Sequence, residues 1–186
     1  MKPRFNTAFF TANVRNRPES MDTKFPYQLS PGLFSALGFA QKEAESMGAR
    51  FVDTSHILLA LVHEAYSTQE SGITIKLANF YKLRYSNTLD KAGSYFGLEA
   101  KATPHSSSSY LTEASKRLFL SSAQIAQRYF SNVIKPEHVL LAITMASNKS
   151  GAAYGTLIDL GIDPRELKDN IQSLIQAEIL QEMMSL

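Results

Sequence analysis

Two stretches decide the fold: Thr54-Ser55-His56-Ile57-Leu58-Leu59-Ala60-Leu61 and Pro136-Glu137-His138-Val139-Leu140-Leu141-Ala142-Ile143. A shift of 82 positions superposes them without a gap, setting His56 on His138, Leu58 on Leu140, Leu59 on Leu141 and Ala60 on Ala142. The same offset carries Ser30 to Thr112, Leu37 to Phe119 and Ala44 to Ala126. A shared His-x-Leu-Leu-Ala core with apolar matches on either side marks a tandem duplication.

Outward from these stretches the pattern is helical. Leu33, Leu37, Ala40, Ala44 and Met47 recur at steps of three and four, the spacing of one helical face. Ser30 followed by Pro31 supplies a cap and a favourable first helical residue, and Gly48 is placed to end the helix. In the second copy Thr112 takes the cap position, and Leu118, Phe119, Ile125, Ala126 and Tyr129 form the stripe. The helices beginning near His56 and His138 are apolar on nearly every side, which predicts burial at the centre of a domain. A third helix follows Gly72 in one copy and Gly151 in the other. Asp163-Pro164-Arg165-Glu166 then opens a long terminal helix carrying Leu167, Ile171, Leu174, Ile175 and Ile179. The first copy's counterpart, around Leu89 to Phe96, is weaker because Gly93 interrupts it.

The expected organisation is all-α, with no sheet. An irregular leader occupies 1–29, one four-helix repeat about 30–99, a linker about 100–110 and a second four-helix repeat about 111–186. The linker contains Pro104 and four consecutive serines, Ser106 to Ser109, the composition of a solvated connector.

Composition narrows the function classes. The 186 residues are 44% hydrophobic and 19% charged, enough for a real core, and contain no cysteine. Disulfide frameworks, thiolate metal sites and cysteine nucleophiles are therefore excluded. No stretch approaches the ~20 apolar residues of a membrane-spanning helix. The formal net charge of +2 is too small to indicate nucleic acid. It is also uneven: residues 1–30 carry Lys2, Arg4, Arg15, Arg17 and Lys24 against Glu19 and Asp22, so the rest of the chain is slightly acidic. With Pro3, Pro18 and Pro26 in it, that leader has no helical or strand period. It lacks acids before Glu19, as a transit peptide would, but it also lacks serine before Ser20 and is not amphipathic. The pair Phe9-Phe10 is its one sign of a docking role.

These motifs resemble the Clp amino-terminal domain, the double Clp repeat at the front of Clp-family AAA+ unfoldases. The family pattern of a capped alanine-rich helix, a Leu-Gly-His turn and Gly-Thr-Glu-His-Leu-Leu-Leu-Gly-Leu is similar to Met47-Gly48-Ala49 with Asp53 to Leu61, and to Lys135 to Ile143. The resemblance spans about residues 30–175 and implies a pseudo-twofold pair of four-helix repeats that recruits adaptors, substrates or Clp subunits. In some relatives each copy binds a phosphorylated arginine through the capping hydroxyl and the glutamate before the core histidine. Carried over, those positions are Ser30 and Ser55 in the first copy, and Thr112 and Glu137 in the second. Glu137 offers a carboxylate that pairs with a guanidinium, and Thr112 a supporting hydroxyl. Ser55 has no charge to offer, so such a site is expected once or not at all. Read generically, Glu137 is a first-turn acid favoured by the helix dipole.

No G-x-x-x-x-G-K-[ST] occurs, so any motor that serves this chain lies outside these 186 residues. The starting methionine and the leader favour a free-standing protein, in the cytoplasm or, alternatively, the plastid stroma. Enzyme signatures are lacking: no nucleophile elbow occurs, and His56 and His63 have no carboxylate at metal-ligand spacing. Repetition of the histidine at 56 and 138 indicates a structural role in both copies. The expectation is a monomeric, non-catalytic protein-binding module with no cofactor, metal, nucleic-acid or membrane partner. The competing expectation is a structural or regulatory protein that uses the fold outside proteolysis, with the leader making the key contacts.

Overall fold

The computed structural model describes residues 28–67, 72–102, 110–145 and 151–185. The leader up to residue 27 and the serine run of the linker lie outside the described residues. Eight helices account for most of the rest: α1 (Pro31–Ser46), α2 (Thr54–Ser67), α3 (Ile73–Phe80), α4 (Tyr85–Ala92), α5 (Glu113–Arg128), α6 (Pro136–Ile143), α7 (Ala152–Asp159) and α8 (Pro164–Met184). A short 3₁₀ turn, Glu99–Ala102, follows the first four. No helix among the described residues is long and apolar enough to cross a membrane.

The caps fall where the sequence places them. Ser30 accepts from the Leu33 N–H at 3.2 Å and Thr112 from the Ser115 N–H at 3.1 Å, so α1 and α5 begin at the same repeat position. Gly48 ends the first turn region at φ +67°, a conformation glycine adopts freely. Its repeat partner is Phe130, which is held at φ +57° without that freedom. The fourth helix of the first copy starts earlier than expected, at Tyr85 rather than near Leu89. Asn87 explains the start by accepting the Arg84 N–H at 2.8 Å, and Gly93 serves as its C-cap rather than an interior break.

Helix α2 is the axis of the molecule. Every residue from Thr54 to Val62 is buried, and the helix packs against α1, α3, α4 and α7. Leu58, Leu59 and Leu61 are fully enclosed, each contributing about 2 kcal/mol by its removal from water. One apolar cluster runs through both copies, joining Leu33, Ile57 and Leu77 to Leu118, Leu140 and Leu157.

The expectation of no sheet is corrected in one respect. Strand β1 (Gln28–Leu29) pairs in parallel with β2 (Val133–Ile134), Leu29 facing Ile134. A single parallel bridge joins Val52 to Leu111. The two pairings are one feature seen twice, because Leu111 is the repeat partner of Leu29 and Ile134 that of Val52. Each copy's entry segment thus hydrogen-bonds to the other copy's approach to its central helix. Pairings this short satisfy backbone groups at the seam and leave no alternating side-chain pattern to read.

Candidate partner-binding site

The exchange of entry segments builds two corners, each from both copies. The Ser30 N–H donates to the Ile134 carbonyl at 2.9 Å, which seats the cap of α1 beside the start of α6, three residues before Glu137. The Thr112 N–H donates to the Val52 carbonyl at 3.1 Å, seating the cap of α5 three residues before Ser55. The structure therefore associates Ser30 with the Glu137 end and Thr112 with the Ser55 end. Thr112 and Glu137, set together within the second copy by the sequence pattern, occupy different corners.

The Thr112 corner is filled from within. Glu99, from the turn after α4, directs its carboxylate into it. Oε2 accepts from the Thr54 N–H at 3.0 Å and the Thr112 hydroxyl at 2.9 Å. Oε1 accepts from the Ala152 N–H at 2.7 Å and from the Thr54 hydroxyl. The Thr54 oxygen in turn accepts from the Ala153 N–H at 3.0 Å. Three helix starts, those of α2, α5 and α7, thus converge on one carboxylate, whose charge matches their exposed N–H dipoles.

Ser55 is fully buried beside it, donating its hydroxyl to Asp53 Oδ1 at 2.6 Å. The same oxygen accepts the Ser55 and His56 N–H groups, both at 3.1 Å, so Asp53 caps α2. His56 Nδ1 stands 2.7 Å from Asp53 Oδ1 and 3.3 Å from the Asp53 backbone nitrogen, which donates to it. Burial pushes the Asp53 carboxyl up, but the hydrogen bonds and charge of His56, with help from Ser55 and the backbone, hold it net below its ordinary value. Asp53 Oδ2 accepts the Gly97 N–H at 3.1 Å, and Phe96 stacks on the His56 ring at 4.6 Å.

The Glu137 corner is built differently: the buried Glu64 of α2 accepts the Ser35 hydroxyl at 2.8 Å beside Gly32 of α1, and Gly32 in turn lies beside Pro136 at the start of α6. Glu137 is 7% exposed and lies 3.9 Å from the Lys135 ammonium, which also stands 4.0 Å from Glu178 of α8. Burial raises the Glu137 carboxyl above its usual range, and Glu178 adds to that, against the backbone hydrogen bond and Lys135. His138, the repeat partner of His56, is buried as well. Its Nδ1 accepts the Lys135 N–H at 3.1 Å, and burial, with the Lys135 charge, lowers its pKa to about 4. The two histidines hold equivalent places at the starts of α2 and α6 but differ in chemistry, because Lys135 replaces Asp53 as the residue three positions before.

Beside Glu137 opens a groove of about 290 Å³, lined among others by Phe130, Lys135, Ile179 and Glu182. Sequence reasoning named Glu137 but missed the rest. Asp53 was legible as a capping residue type before an apolar helix; Glu99 carried no local signal. Among the described residues no cluster of three His, Cys, Asp or Glu is placed to hold a metal ion.

The sequence model of the Clp repeat (R) N-terminal domain family matches residues 65–154 and 111–182. The chain is 28% identical over 191 residues to the chloroplastic chaperone protein ClpD of Arabidopsis thaliana, covering 96% of this chain and 20% of that protein. It is 27% identical over 141 residues to the chloroplastic chaperone protein ClpC1 of Oryza sativa subsp. japonica, covering 73% of this chain and 14% of the relative. The chain thus spans a fifth or less of these relatives. The crystal structure of the ClpD N-terminal domain from Arabidopsis thaliana superposes with a TM-score of 0.63 at 21% identity, covering 83% of this chain and 98% of that one. The Hsp104 N-terminal domain from Candida albicans gives 0.56 at 11% identity, over 77% and 89%. At these identities the superpositions establish the fold.

Proposed function

As the chain belongs to the Clp repeat (R) N-terminal domain family, we propose that it is a non-catalytic docking module that brings adaptors, substrates or Clp subunits together in regulated proteolysis. The observation that carries this reading is the asymmetry of the two corners. Both are built from a capping hydroxyl of one copy and a helix start of the other, yet Glu99 ties three helix starts together at one, while Glu137 at the other lines an open groove. The Ser30–Glu137 corner is therefore the place for a cationic side chain of a partner, and the Thr112–Ser55 corner is a structural joint. A guanidinium there would relieve the cost of holding Glu137 ionised under burial. The plastid assignment of the relatives supports the plastid stroma over the cytoplasm as the compartment.

Affinity capture with Clp unfoldase and protease subunits, run with ATP, ADP and without nucleotide, tests the reading. Enrichment that Glu137→Gln weakens is the expected result. Absence of enrichment in every nucleotide state overturns it.

A further inference from the structure

The offset that relates the two copies also shows what kind of group suits the groove beside Glu137. In the first copy Phe96 stacks on the His56 ring at 4.6 Å, and the following Gly97 N–H donates to Asp53 Oδ2 at 3.1 Å. The chain folds back there because α4 ends at Ala92, with Gly93 as its C-cap and Gly97 at φ +76°. In the second copy the repeat partners of His56 and Asp53 are His138 and Lys135, and both line the groove. The repeat partner of Phe96 is Glu178, and α8 stays helical through it to Met184. The second copy thus keeps the histidine of the first without the aromatic ring that packs on it.

The lining agrees with this comparison. The groove's volume of about 290 Å³ exceeds the ~150 Å³ of a cavity that takes a benzene ring. His138 is 2% exposed, and its Nδ1 accepts the Lys135 N–H, so the neutral imidazole carries its proton on Nε2. That nitrogen has no hydrogen-bond partner among the described residues. Charge in the groove is unbalanced, with the carboxylates of Glu137, Glu178 and Glu182 against the single ammonium of Lys135. At the rim stands Phe130, 92% exposed and held at φ +57° where the first copy has Gly48. A bulky residue kept in that conformation at an exposed place points to function rather than packing.

We infer that the groove recognises an aromatic side chain that a partner protein presents next to a basic one. The ring takes the place at His138 that Phe96 holds at His56, with Phe130 against its outer edge, and the neighbouring guanidinium or ammonium meets Glu178 and Glu182. A bare cation leaves the apolar wall of Ile175 and Ile179 in water, and a purely apolar segment covers the carboxylates without pairing them. The inference rests on the docking function proposed above and supplies the chemistry of the docked segment.

Titration of the isotope-labelled full chain with acetyl-phenylalanyl-arginine amide, followed by NMR, tests it. Shifts at the His138 and Phe130 rings are expected, and acetyl-alanyl-arginine amide should bind about tenfold more weakly. Glu178→Gln combined with Glu182→Gln should weaken the phenylalanyl peptide about fivefold, with circular dichroism checking that the variant keeps its helices. Equal affinity for the two peptides, shifts centred on His56 and Phe96, or unchanged affinity in the folded variant overturns the inference. So do groove resonances that move with protein concentration alone, the sign that a second copy fills the groove. Capture of Clp subunits without binding of either peptide sinks this inference and leaves the docking reading standing. Peptide binding without any such capture upholds the groove chemistry and removes its place in proteolysis.

Discussion

Tyr95 lies across Gly155. A Cβ at position 155 would meet the Tyr95 ring at 2.5 Å, and the ring's hydroxyl donates to Asp159 Oδ2 at 2.9 Å. The last turn of the first copy is thereby laid onto α7 of the second, at a place where only a missing side chain gives it room.

Gly155→Ala is therefore expected to lower stability by about 1 kcal/mol, since displacing the ring outweighs the alanine's better helix propensity. Removing the ring should reverse the sign. In a Tyr95→Ala background Gly155→Ala becomes neutral or stabilising, and a double-mutant cycle by thermal unfolding measures the difference.

Glu99 joins the connector to three helix starts. Glu99→Gln replaces one accepting oxygen by a donor facing donors, and the expected loss is about 2–3 kcal/mol. Urea denaturation checks it. A loss below about 0.5 kcal/mol would mean that the carboxylate acts as an ordinary exposed acid.

Phe130 and Gly48 are repeat partners in the same left-handed conformation. Phe130→Gly is expected to stabilise the fold by about 0.5–1 kcal/mol, relief of strain exceeding the added freedom of the unfolded chain. Gly48→Ala should cost about 1 kcal/mol. Thermal unfolding of the two variants checks the opposite signs.

His138 sets a pH dependence. Its folded pKa, about 4, lies below its ordinary 6.5, so the unfolded chain binds more protons in between. The stabilisation is complete above pH 6.5 and is lost as pH falls toward 4, by about 2–3 kcal/mol. Glu137 opposes this in part: its raised pKa adds stability that is present below 4.5 and is lost as pH rises through its folded value. Asp53, held low, contributes stability above 3.8 that disappears only at lower pH. His138→Asn, which keeps an acceptor for the Lys135 N–H, should flatten the slope between pH 6.5 and 4 in denaturation curves.

Phosphoarginine, the side chain suggested by the family resemblance, provides a ligand probe. Amide shifts on titration should concentrate around Ser30 and Glu137, and Glu137→Gln should abolish them. Shifts centred on Thr112 and Ser55 would show that Glu99 yields its place, contrary to the structural role assigned to that corner.

The helices were legible because their signals are local. Ser30, Pro31 and Gly48 bracket α1 by capping chemistry, and the continuous apolar run from Ile57 to Val62 marks α2 for burial whatever surrounds it. The start of α4 was misplaced because one side chain, Asn87, decides it against the weaker cue of Gly93.

What the sequence determined by itself is the duplication: the 82-residue offset, the helical class and the repeated histidine all follow from residue type and period. Tertiary structure alone decided how the copies share their parts. Leu29 on Ile134, Leu111 beside Val52 and Glu99 on the starts of three helices are joined through backbone groups, which every residue possesses and no pattern records. That crossing moved Ser30 to the Glu137 end and Thr112 to the Ser55 end. It left one corner closed by the chain's own acid and the other beside an open groove.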